Sequence, residues 1–157
     1  LNNIMQIVER FKGYKIIFKV HPRKNHPYYL KILKNYKNLD IEISNENLLF
    51  LTKRCNVFLH DRESSAIYEG LVFKKPSIEY WNTIKSLDYE TAPDMLKLNV
   101  KANNPVELEK LINLAIDEPA HEVWNGQKNA FDLNFKKFGE NATQHCINVV
   151  LKLIENK

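Results

Sequence analysis

Apolar positions along the chain follow two rhythms, one of helical spacing and one of short unbroken runs. Ile4, Ile7, Val8 and Phe11 recur on one helical face and predict a helix over 1–12, stopped by Gly13. Tyr14–Val20, rich in aromatic and β-branched residues, reads as a strand, and Pro22 and Pro27 stop it. A helix over Tyr28–Tyr36, with Pro27 in its first turn, leads to a short strand at Leu39–Ile43. Asn45–Arg54 follows as a helix capped by Ser44 or Asn45. Val57–Leu59 is too short for a helix and too continuous for a half-exposed strand, so it reads as a buried parallel strand. The polar run from His60 to Ser65 breaks that pattern. A helix over Ser65–Phe73 and a strand at Pro76–Tyr80 come next.

Trp81–Met95 shows no period and is predicted as a loop, with Leu96–Val100 as a last, edge strand. Asn104, Pro105 and Glu107 supply a cap, a first-turn proline and an early acid for a helix running to about Asp117. Pro119–Gln127 opens another helical piece, Phe131–Phe138 reads as an aromatic crossing segment, and Asn141–Glu155 as a closing helix. Strands alternating with helices predict an α/β domain, doubly wound around a mainly parallel, Rossmann-like sheet. Ligands in such folds bind outside the carboxyl ends of the strands. The turns His21–His26 and His60–Ser65 both follow strands, so both are expected on that edge.

Composition narrows the picture in a few respects. At 157 residues and 44% hydrophobic, the chain fits one domain over 1–157 with a substantial core. It begins at Leu1 and reads as a piece of a longer protein. No apolar run is long enough to span a bilayer, and the first residues lack the order of a signal peptide, so the expected location is cytoplasmic. Cys55 and Cys146 share no metal-type spacing and read as ordinary buried thiols. The formal charge of +4 is spread along the chain, which suits a small anionic ligand and not a nucleic-acid stripe. With only four glycines, no Gly-rich phosphate loop is present.

Candidate chemistry therefore falls on the two polar turns. Ser64 and Ser65 offer hydroxyls beside a helix N-terminus, where free N–H groups and the helix dipole suit a phosphate or diphosphate. Plain helix capping explains an isolated Ser-Ser pair more economically. Glu69, one turn into the helix, can accept from vicinal sugar hydroxyls or simply be a solvated acid. Arg23 and Lys24 can neutralise a ligand phosphate, and His21 can donate to one or act as a general base. His60, Asp61 and Arg62 are possible loop contacts. His60-Asp61 lacks a third ligand, so no metal is expected. No Gly-x-Ser-x-Gly elbow supports a serine hydrolase.

Those residues carry a resemblance. The strand ending Phe18-Lys-Val-His21-Pro22-Arg23 is the first part of it. The second is the Ser64-Ser65 turn with Glu69 and then Lys75-Pro76-Ser77-Ile78, and the third is Gly139-Glu-Asn141-Ala142-Thr143 opening the last helix. In this order they resemble the C-terminal, nucleotide-donor half of two-Rossmann-domain (GT-B) transferases that build bacterial surface and capsule polysaccharide. CDP-glycerol glycerophosphotransferases are close in pattern, and UDP-N-acetylglucosamine 2-epimerases look like more distant relatives. The resemblance covers most of 14–156. It implies that Ser64 and Ser65 hold a donor diphosphate, that Glu69 holds the ribose, and that His21, Arg23 and Lys24 lie near the phosphates, with His21 assisting transfer.

The resemblance further implies a nucleotide-activated sugar or CDP-glycerol as substrate and no separate cofactor. An N-terminal acceptor domain would be missing from these residues, and the full-length protein is compatible with peripheral membrane association. A UDP-sugar epimerase-like enzyme and a non-catalytic Rossmann-like module are the alternatives. Two positions depart from the pattern. Glu63 sets an acid beside the expected diphosphate. Lys74 stands where relatives often carry glycine, which is expected to change the turn.

Overall fold

A computed structural model describes residues 2–19, 26–61, 64–80 and 91–135. The described helices are α1 (Asn2–Val8), α2 (His26–Leu33), α3 (Leu48–Arg54), α4 (Ala66–Val72), α5 (Ala92–Met95), α6 (Pro105–Asp117) and α7 (Glu122–Asn134). The strands are β1 (Ile16–Lys19), β2 (Ile41–Ser44), β3 (Phe58–His60), β4 (Ser77–Tyr80) and β5 (Val100–Ala102). The chain is thus a mixed α/β protein, and every described strand pairing is parallel.

In place of one continuous sheet, the described strands form two, β1-β2 and β3-β4-β5. In the smaller sheet Ile16 lies opposite Ile41, and Glu42 binds both Lys15 (2.8 Å) and Arg54 (2.9 Å), tying the β1 approach to the end of α3. In the larger sheet His60 lies opposite Glu79, and Glu79 opposite Lys101.

Every residue of β4 is buried, as expected for a strand paired on both sides and covered on both faces. Its side chains alternate. Ile78 and Tyr80 join Ile7 of α1, Leu108, Ile112 and Ala115 of α6, and Trp124 of α7. Ser77 turns the other way, toward α4: a Cβ on Gly70 would lie 2.4 Å from Ser77 Oγ and 2.9 Å from a Phe58 ring carbon. Ile67 and Leu71 of α4 then meet Leu98 and Phe131 in a second cluster, so α7 serves both clusters.

A buried glutamine closes the larger sheet. Gln127 of α7 accepts from Ser77 N–H (3.1 Å) and donates to Ser77 C=O (2.8 Å) and Leu98 C=O (2.7 Å). It satisfies backbone groups at the start of β4 and on the approach to β5, where the strands themselves do not.

Several expectations need correction. The cap of α3 is Asn47, which accepts from Leu49 N–H, while Ser44 closes a small turn onto Glu46 N–H. The unperiodic stretch ends in α5, and its Thr91 N–H donates to Asp94, a local signal too short to register as periodicity. The last described strand is Val100–Ala102 and not Leu96–Val100, because Lys97 adopts φ 57 and turns the chain there. Phe131 belongs to α7 and is 6% exposed within this domain's own core, stacked on Phe135 at 4.9 Å. Cys55 is half-buried, and its thiol donates to Thr52 C=O. β3 is shifted by one residue, α2 starts earlier than predicted, α7 runs on past Gln127 to Asn134, and most other elements are shorter than predicted at their ends. The predicted closing helix over 141–155, Cys146 and the Gly139–Thr143 pattern lie outside the described residues.

Lys74 corrects a further expectation. It does not change the turn after α4; it adopts the glycine conformation, with φ 55. Lys75 N–H reaches Gly70 C=O and Lys74 N–H reaches Leu71 C=O, a Schellman-type closure in which glycine usually holds the left-handed residue.

Asp94 anchors α5 to β5. Burial pushes its carboxyl pKa up, but Lys101 (2.6 Å), Asn99 (2.6 Å) and the Thr91 backbone and hydroxyl (3.0 Å each) outweigh that and hold it well below the usual range. A lowered folded-state pKa gives stability that is fully present above the unfolded value, near 3.9, and lost as pH falls through the folded one. Denaturant unfolding should therefore show wild type losing about 1–2 kcal/mol across that acid window relative to Asp94→Asn, after allowance for the part-exposed Lys101. Parallel pH curves for the two proteins would contradict this.

Among the described residues no helix is long and apolar enough to cross a membrane.

Candidate functional site

The turn between β3 and α4 is built by a strand that ends in a buried histidine and a helix that starts on two serines. His60 is the last residue of β3, is 8% exposed and stacks on Phe58, so it belongs to the sheet and not to the polar loop. Its Nδ1 lies 3.0 Å from Asp61 C=O. A carbonyl only accepts, so Nδ1 carries the proton and Nε2 presents a lone pair. That Nε2 is buried and meets no donor. Burial lowers the His60 pKa, against the opposing pull of the Asp61 carbonyl and charge. The imidazole is a neutral acceptor at neutral pH.

Glu69 stands in the first turn of α4. It is half-buried rather than solvated, and its Oε2 is buried with no donor in reach. A buried carboxylate oxygen without a partner is costly, and such groups call for an explanation by function or by a ligand.

The serines differ from the simple capping picture. Ser64 Oγ accepts from Ala66 N–H at 3.3 Å. Ser65 occupies the cap position with helical dihedrals (φ −60, ψ −12) and makes no side-chain cap bond. Ile67 N–H and Tyr68 N–H close back onto the Ser64 and Ser65 carbonyls. The N–H groups expected to face an anion are thus largely used within the turn. What remains for a ligand is the hydroxyl hydrogens of the two serines and the two buried acceptors.

Buried side-chain polar atoms without partners occur elsewhere among the described residues, on Tyr80, Asn99 and Trp124. Tyr80 ends β4, and its hydroxyl lies beside the Asn3 side chain without completing a hydrogen bond. His60 and Tyr80 both sit at the carboxyl edge of the three-stranded sheet, with Glu69 on the helix that leaves it. That edge is where parallel α/β sheets take ligands.

His21, Arg23, Lys24, Arg62 and Glu63 lie outside the described residues, so their meeting with this turn is not part of the geometry. Among the described residues no group of His, Cys, Asp or Glu is arranged to hold a metal ion. Sequence reasoning gave His60 the wrong setting. The signal for His60 was available in its place directly after an apolar run. His121 caps α7 by accepting from Val123 N–H at 3.2 Å.

No protein-family model matches the chain, and no significant match is found among curated proteins or solved structures.

Proposed function

We propose that this chain is the donor-binding half of a cytoplasmic transferase for bacterial surface polysaccharide, a Rossmann-like domain of GT-B type that grips a nucleotide-activated sugar or CDP-glycerol. The observation that carries the reading is the pair of buried acceptors, His60 Nε2 and Glu69 Oε2, flanking the β3–α4 turn. Unpaired acceptors of this kind want O–H donors, and ribose, sugar and glycerol are dense in them. Glu69 takes the ribose hydroxyls in this reading. The Ser64 and Ser65 hydroxyls, with Arg23 and Lys24, take the diphosphate. As the donor bond breaks, charge builds on the leaving diphosphate, and these hydroxyls and cations stabilise it. His21 assists transfer to an acceptor hydroxyl held by a further, N-terminal domain. A UDP-sugar epimerase would use the same grip.

A second reading, a non-catalytic Rossmann-like module, draws on a specific observation: the α4 N-terminus satisfies its own N–H groups. Calorimetric titration with CDP, UDP, CDP-glycerol and a UDP-sugar separates the two. The donor reading expects saturable binding of at least one of them. Glu69→Gln is expected to weaken that binding about tenfold, by the roughly 1–1.5 kcal/mol of one good hydrogen bond. No binding at millimolar nucleotide, with unchanged stability in the Ser64→Ala, Ser65→Ala double variant, would decide for the module.

A further inference from the structure

We propose that a second site, at the opposite edge of the three-stranded sheet, binds a phosphate-sized oxyanion. A cavity of about 40 Å³ lies between the α4–β4 turn and the first turns of α7. Lys74, Lys75 and Lys128 line it, together with Pro76, Pro119 and Trp124. No carboxylate lines it. A single water needs roughly 10–15 Å³ of such space, so the cavity has room for a few waters or one tetrahedral oxyanion.

Charge and hydrogen bonding both call for an anion there. None of the three lysines belongs to an ion pair among the described residues, although Lys15, Arg54 and Lys101 all find carboxylates. Trp124 is 4% exposed, and its indole N–H is buried without an acceptor. An indole nitrogen only donates, so the group that satisfies it must accept. Three cations lining a small cavity, beside a lining tryptophan whose own donor is orphaned, match a phosphoryl group, which offers several acceptor oxygens and negative charge.

The left-handed backbone at Lys74 adds to this. Glycine is the usual residue at this point of the closure, and a side chain there carries a conformational penalty. The chain keeps a cation in that place. Lys97 shows the same conformation after α5 without lining the cavity, so the backbone alone marks no site; the cavity, the uncompensated charge and the indole do.

The ligand is either free phosphate or the phosphoryl group of a small phosphomonoester, and nothing in the proposal depends on the donor turn at the other edge. The test is titration of the 157-residue chain with inorganic phosphate and, separately, with O-phosphoserine at constant ionic strength. The readout is the indole N–H resonance of Trp124, assigned against a Trp81→Phe variant. Saturable movement of that resonance is the expected result. Lys75→Gln and Lys128→Gln are each expected to weaken binding about fivefold, as partly screened charges do. Lys74→Gly is expected to stabilise the fold while weakening phosphate binding. These opposite signs separate a ligand role from simple complementing of the α4 C-terminus. Tighter phosphoserine binding would identify a phosphomonoester ligand, and tighter phosphate binding the free ion. An unmoved resonance, or the same movement with chloride, overturns the proposal, as does a set of lysine variants that alter stability and leave phosphate binding intact.

Discussion

Gln127→Leu is expected to destabilise the protein by about 3–5 kcal/mol, a large fraction of the roughly 5–15 kcal/mol by which an ordinary domain is stable. Leucine keeps the volume but removes every partner of Ser77 N–H, Ser77 C=O and Leu98 C=O that Gln127 supplies. Ser77 and Leu98 are fully buried, so water cannot take over without opening the core. Each orphaned group carries about 1–3 kcal/mol, less whatever relaxation recovers. Gln127→Glu sharpens the test. An ionised carboxylate still accepts from Ser77 N–H but repels both carbonyls, whereas the protonated acid can donate to one. Its folded-state pKa must therefore rise above the unfolded one, and the variant should regain stability as pH falls through that raised value. Urea midpoints measured across pH check both. A loss under 1 kcal/mol for the leucine variant would show that the bridge is dispensable.

The second large effect is expected at Gly70. An alanine Cβ there would sit 2.4 Å from Ser77 Oγ and 2.9 Å from Phe58, closer than packed atoms come. Helix α4 must lift from the sheet or Ser77 must turn away from Lys75 C=O, which its hydroxyl now donates to at 3.0 Å. Overpacking of this kind costs about 1–3 kcal/mol, despite the better helix propensity of alanine. Adding Ser77→Ala removes the closer of the two contacts. The double variant should then be more stable than the sum of the single effects predicts, a coupling visible in thermal unfolding. Strict additivity would mean that α4 adjusts elsewhere.

Both effects turn on polar or minimal residues inside a strand–helix layer, and that is where the sequence said least. Helix α6 was fully legible, because Asn104, Pro105 and Glu107 are local signals and its apolar stripe runs to Asp117. The strands were legible to within a few residues from their apolar runs. β4 was read correctly as a strand, yet nothing in Ser77-Ile-Glu-Tyr80 announced that Ser77 and Glu79 would be as buried as Ile78. For Ser77 the reason lies fifty positions away in Gln127, beyond the reach of any local pattern. Lys74 and Lys97 were misread for a related reason. The turn geometry was fixed by the helix ends, and lysine was placed in conformations that composition assigns to glycine. At the candidate site, the expected N–H groups turned out to serve the turn, and the open acceptors appeared instead on His60 and Glu69. Whether a polar side chain is satisfied is a property of its neighbours in space.

The glutamine bridge also sets an order on synthesis. Ser77 and Leu98 leave the ribosome well before Gln127, and until α7 emerges the backbone groups that it binds have only water or the wrong partners. The β4–β5 half of the sheet is therefore a late event for a nascent chain, with β4 exposed as an unfinished strand in the interval. A chain truncated before α7 should be a substrate for holding chaperones, not a smaller folded domain.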